Sequence, residues 1–141
     1  MEAAEPDFAG KVRALFDAHK HKTMATLRRD GSPRISGTEM EFSDGEIVIG
    51  MMPRSIKFAD VARDPRVALH SGSADPPADD PASWPGDAKI AGRLIEVPEE
   101  KFKRFRIDIN EVVLIRVGRP ADHLVVESWH PDRGLIRRER R

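Results

Sequence analysis

The segment Arg54-Ser55-Ile56-Lys57 carries the residue types best suited to hold an anion. It follows Pro53 at the end of an apolar run and leads into a short helical pattern. A helix N-terminus presents unpaired backbone N–H groups, and the helix dipole reinforces them toward negative charge. Ser55 could cap that helix and also donate to a phosphate, Arg54 offers a planar fork, and Lys57 adds a point charge two residues on. The competing reading is a capped surface helix with two solvated cations. Residue types alone favour that reading, because Ser is an ordinary cap and 24 of the 141 residues are Lys or Arg.

Other features suggest chemistry less strongly. His19-Lys20-His21-Lys22 holds two histidines two apart at a helix end with no third ligand nearby, which reads as solvent-facing rather than as a metal site. His70 falls in a strand, where a hydrogen-bonded structural histidine is the default, and His130 at a strand end could face a bound ligand or simply cap the strand. Glu39 is a carboxylate in a strand, and exposure on a sheet face is the expectation for it. The run Arg137-Arg138-Glu139-Arg140-Arg141 has no interleaved aromatic residues and reads as a frayed, solvated tail rather than a nucleic-acid arm. No Ser/His/Asp order, Gly-rich dinucleotide fingerprint or nucleotide-binding P-loop occurs.

The elements that must position these residues follow from periodicity and turn chemistry. Phe8, Val12, Leu15 and Phe16 recur at helical spacing behind Pro6-Asp7, giving an amphipathic helix over residues 7–18. Runs at 23–28, 33–42 and 46–51, separated by Asp30-Gly31 and Asp44-Gly45, predict a three-strand meander on Asp-Gly hairpin turns. Residues 55–63 form a short helix stopped by Asp64-Pro65. A strand is expected at 66–71, a long surface loop at 72–86 and a strand at 88–97. Pro98-Glu99-Glu100 with Phe102 and Phe105 predicts another short helix, followed by strands at 111–117 and 123–129. Several short strands with too few helices to cover a parallel sheet imply a mostly β fold, an antiparallel barrel with a few short helices.

Composition sets outer limits. With 141 residues and 39% hydrophobic content the chain is expected to form a single domain, 1–141. Zero cysteines exclude disulfides, thiolate metal sites and thiol nucleophiles. The 24 basic and 24 acidic residues cancel, so no global field draws nucleic acid or an anionic membrane. No apolar run nears the ~18 residues of a membrane span and no signal-peptide pattern is seen, so a cytoplasmic protein is expected.

Over roughly residues 23–98 the order Ala25-Thr26-Leu27, Asp30-Gly31-Ser32-Pro33, Ser55-Ile56-Lys57, Asp64-Pro65-Arg66-Val67-Ala68-Leu69 and Trp84 with Lys89-Ile90-Ala91-Gly92-Arg93 resembles the pyridoxamine 5'-phosphate oxidase-like superfamily. That resemblance implies a split antiparallel β-barrel of the FMN-binding type. It implies that the strand bearing Thr26 and Leu27 lies along a flavin, and that Ser55 and Lys57 grip its phosphate with Arg54 as helper. Ile56 stands where many relatives have Arg. Gly37-Thr38-Glu39-Met40 occupies the strand that passes under the ring, where Thr38 could bond a ring carbonyl. Relatives are usually homodimers with the cofactor at the subunit interface, closed by partner aromatics, for which Trp129 and Trp84 are the candidates; for Trp84 a loop anchor is the better reading. The implied activity is a cofactor-dependent oxidoreductase acting on a small organic substrate, with FMN or the actinobacterial deazaflavin coenzyme, whose acidic tail Arg28, Arg29 and Arg54 could offset. The alternative is a non-catalytic flavin-binding, sensing or interaction module, favoured by Ile56 and by the Gly37-Thr38-Glu39-Met40 departure.

Overall fold

The computed structural model describes residues 1–98 and 103–141. In chain order the elements are α1 (Pro6–Asp17), β1 (Lys22–Leu27), β2 (Pro33–Thr38), β3 (Glu41–Ser43), β4 (Glu46–Met51), α2 (Ile56–Arg63), β5 (Arg66–His70), β6 (Asp87–Val97), β7 (Lys103–Val117), β8 (Leu124–His130) and β9 (Gly134–Arg140), with one 3-10 turn at Pro81–Ser83. All strand pairs are antiparallel. The fold is mostly β, a nine-stranded sheet consistent with a split barrel. None of the helices among the described residues is long and apolar enough to cross a membrane.

The strands run in the order β2-β1-β5-β6-β7-β4-β3, and β8 and β9 extend from β7 as a further pair. β7 makes the split. One edge pairs along β6, while the other gives residues 103–106 to β4 and residues 112–117 to β8. Alternation places Phe105, Ile107, Val112 and Leu114 inside. Helix α1 closes the core with Phe8, Val12 and Phe16, an i, i+4, i+8 stripe, while its remaining face stays in solvent.

Three expectations are corrected. β1–β2 and β3–β4 are hairpins, but β2 and β3 sit at opposite ends of the strand path, so there is no three-strand meander. Each Asp-Gly turn fixes only its own pair; at the second, Asp44 and Gly45 both take positive φ, 51° and 77°, as a tight hairpin turn requires. Glu39-Met40 lacks such chemistry, and the expected strand 33–42 breaks there. The helix expected around Phe102 and Phe105 is replaced by strand, because Phe105 pairs with both Ile49 and Glu96 in β7; Glu99, Glu100 and Phe102 lie outside the described residues. The C-terminal run is a strand, β9, in register with β8 from His130↔Gly134 to Leu124↔Arg140.

Candidate functional site

Helix α2 has eight residues and begins where β4 ends. Ser55 is its N-cap in extended conformation, with Oγ accepting from Phe58 N at 3.1 Å. The cap satisfies one orphan donor and leaves the Ser55 hydroxyl proton and the N–H groups of Ile56 and Lys57 without intrahelical acceptors. The helix is held down by Val61 and by Phe58, whose ring lies 6.1 Å from that of Phe105. This fixes two differently built clefts on its flanks.

On one flank Ser55 and Lys57 join Gly37, Thr38 and Glu39 of the β2 end and Met51 and Met52 of the β4 end around an open cleft of about 580 Å³. Such a volume lies within the range of small-molecule sites. Lys57 Nζ donates to Gly37 O at 2.9 Å, tying α2 to β2 and leaving two further N–H bonds. Thr38 is buried, and its Oγ1 donates to Glu39 O at 3.3 Å. Glu39 is exposed at the rim, 3.5 Å from His21 Nε2 and 3.7 Å from Lys20 Nζ. Of the residues singled out in the sequence, this cleft therefore gathers Ser55, Lys57 and Thr38. Arg54 is exposed on the turn before them and does not line it.

On the other flank Thr26 and Leu27 of β1 meet α2. Thr26 is 1% exposed, and its Oγ1 donates to Asp60 Oδ2 at 2.7 Å. Asp60, 2% exposed, also accepts from Arg34 Nε at 2.8 Å and Arg63 Nη2 at 3.0 Å, and that Arg63 nitrogen donates to Leu27 O at 2.9 Å. Burial pushes the Asp60 carboxyl up, but the Thr26, Arg34 and Arg63 hydrogen bonds outweigh it and hold it below the usual carboxylate range. A cleft of about 510 Å³ opens beside this network, lined by Arg28, Arg29, Arg34 and Arg63. Sequence reasoning missed Asp60, Arg34 and Arg63. The available signal was a carboxylate at the position where α2 turns toward β1, one residue before the buried Val61.

The remaining candidates lie apart. Trp129 is 8% exposed in the core, opposite Val112 of β7 and Leu135 of β9, and lines neither cleft. Its neighbour His130 sets Nε2 2.8 Å from Glu111 Oε2. Trp84 anchors the long loop, donating from its indole to Ala74 O at 2.7 Å. His70 accepts from Gly72 N through Nδ1 at 3.1 Å, which leaves Nε2 to face Asp87 at 3.2 Å. Both tryptophan and histidine arrangements in the loop region hold backbone in place.

Among solved structures the chain is similar to PhzG from Burkholderia lata 383 in complex with tetrahydrophenazine-1-carboxylic acid, at 10% identity and TM-score 0.71 over 96% of this chain and 92% of that one. It is similar to a heme binding protein from Mycobacterium smegmatis at 17% identity and TM-score 0.67, over 88% of this chain and 58% of that one. A pyridoxamine 5'-phosphate oxidase-related, FMN binding protein from Nostoc punctiforme matches at 10% identity and TM-score 0.64, over 96% and 95%. At these identities the likeness is one of fold. No curated protein matches. The family model of pyridoxamine 5'-phosphate oxidase matches residues 8–139, almost the whole chain, and the protein belongs to that family.

Proposed function

We propose that the chain is a cofactor-dependent oxidoreductase that holds the phosphate of FMN at Ser55 and Lys57 and acts on a small organic substrate. The observation that carries this reading is the cleft at the N-terminus of α2 that Ser55 and Lys57 line together with Thr38. That donor set suits a phosphate dianion, which collects neutral and charged hydrogen bonds together. When bound, the flavin supplies the hydride chemistry, and the protein supplies position. Lys57 ties the phosphate site to the β2 backbone, Gly37 has no side chain to separate a ring from that backbone, and Thr38 sits at the same strand end. Arg54 flanks the turn as an exposed counter-charge.

The arginine cleft favours a second reading of the cofactor. Arg28 and Arg29, which line the rim of that cleft outside the Asp60 network, suit a cofactor with further acidic groups beyond one phosphate, such as the acid-tailed deazaflavin coenzyme. A homodimer placing the cofactor at the subunit interface, with Trp129 near it, belongs to the same proposal; the uncovered outer face of β2, where Ile35 is 74% exposed, supports it. We place the protein in the cytoplasm.

Absorption spectra of the purified chain, alone and titrated with FMN, riboflavin and deazaflavin coenzyme, test this. FMN or the deazaflavin should bind at micromolar concentration, riboflavin should bind far more weakly for want of a phosphate, and reduction by NAD(P)H or by reduced deazaflavin should follow. Failure to bind either phosphate-bearing cofactor sinks the reading, and binding without any reduction leaves the non-catalytic module in its place.

A further inference from the structure

The long loop 72–86 is fastened where it leaves the sheet. Ser71 N donates to Ala88 O at 3.0 Å, and Ala88 N donates to Ser71 Oγ at 3.1 Å. Beside them His70 accepts from Gly72 N and sets Nε2 3.2 Å from Asp87 Oδ2. The Trp84 indole, donating to Ala74 O at 2.7 Å, draws the two arms of the loop together. Arg119 holds its far side through Asp80 at 3.4 Å. A loop with joined ends and its own internal contacts keeps a shape, so a hollow beside it is preformed.

Between this loop and α1 lies a cavity of about 390 Å³, a volume within the range of small-molecule sites. Spacing explains which residues α1 turns toward it. Lys11, Ala14, Leu15 and Ala18 fall at i, i+3, i+4 and i+7, one helix face beside the stripe that enters the core. Three of the four are apolar, and Ala74 and Pro85 line the loop side. At Gly72, φ is +83° and a Cβ would lie 3.2 Å from His19 Cδ2, so the imidazole packs against that glycine as a wall. Ser73 Oγ already donates to Ala74 O. Lys11 stands at the opposite end of the helix face, roughly 10 Å along the axis from Ala18. No Asp or Glu lines the cavity, and Lys11 has no ion-pair partner among the described residues.

We propose that this cavity binds a small organic carboxylate with an apolar body of about one ring, its carboxylate on Lys11 and its body against Ala14, Leu15, Ala18 and Pro85. Charge and polarity together decide the class. A cation with no acid beside it favours an anion, and apolar walls favour hydrocarbon over an inorganic ion, which would lose water there without compensation. The site shares no lining residue with either cleft beside α2, so it stands independently of the cofactor.

Titrating the full, isotope-labelled chain with benzoate, benzyl alcohol and inorganic phosphate, followed by amide NMR, tests this. Benzoate should saturably shift the amides of 11–19 and 72–74 with a dissociation constant of about millimolar order. Benzyl alcohol should bind at the same place roughly five-fold more weakly for want of the charge, and phosphate should leave those amides unmoved. Lys11→Met keeps an apolar stem and should bring benzoate down to the level of benzyl alcohol. Ala14→Phe, at an exposed helix position, should fill the hollow and abolish both while the amides of β5 and β6 keep their shifts; Lys11→Met decides alone if that variant does not fold. Equal binding of benzoate and benzyl alcohol, benzoate affinity undiminished in either folded variant, or shifts centred elsewhere in the chain overturns the site.

Discussion

The two flanks of α2 treat positive charge in opposite ways. Toward Ser55 and Lys57 the cation is engaged, among the described residues, by a backbone carbonyl, Gly37 O, which leaves its charge unneutralised there. Toward Thr26 two guanidiniums share one buried carboxylate, which spends part of the field on holding α2 to β1 and β2. A basic residue near a cleft is therefore not automatically a ligand for it: the number of structural acceptors it already serves decides how much remains for binding. On the proposed function one flank binds, while the other chiefly holds, with Arg28 and Arg29 on its rim outside that network.

Substitutions can break this contrast. The largest effect is expected at Asp60. Asp60→Ala leaves Arg34 and Arg63 partly buried without their acceptor and should cost roughly 2–4 kcal/mol in urea unfolding; a loss below 1 kcal/mol would show that the holding role is wrong. Because the Asp60 pKa is depressed in the fold, its stabilisation is present above the ordinary carboxylate pKa of about 3.9 and is lost as pH falls through the lower folded value. Acid unfolding of Asp60→Asn should accordingly be less steep. Next comes Lys57→Ala, which should weaken cofactor binding by roughly 1.5–3 kcal/mol, the worth of a charged hydrogen bond, with a much smaller change in stability. Unchanged affinity would remove Lys57 from the phosphate site and erase the contrast. Ser55→Ala should lower stability by about 1 kcal/mol through the lost cap and also reduce affinity. The smallest effect sharpens the comparison: Ile56→Arg adds a cation at a 63% exposed position and should tighten cofactor binding by less than 1 kcal/mol.

Much of the architecture could be read directly from residue order. Asp-Gly turns, alternating strands and the Ser55 cap are local signals, and local signals survive folding with their meaning intact. Two segments did not read that way. Phe102 and Phe105 have helical spacing, yet Phe105 and Ile107 alternate with Arg104, Arg106 and Asp108, a period of two that β6 and β4 enforce from both sides. The C-terminal arginines suggest a tail, but pairing with β8 makes them an edge strand, where charge discourages further strands from adding. The site divided in the same manner. Ser55 and Lys57 stand within one four-residue segment whose cap is a local signal, whereas Asp60 gains meaning only from Thr26 and Arg34, which lie 34 and 26 residues away.

Strand β7 has a mechanical consequence. One of its edges is a common beam carrying two loads, β4 at one end and β8 at the other. The first load leads directly into the turn that presents Ser55, the second into the β8–β9 hairpin. A twist applied at the far hairpin reaches the turn that presents Ser55 along fifteen residues of continuous backbone, so the two ends of the molecule are joined by the stiffness of a single strand.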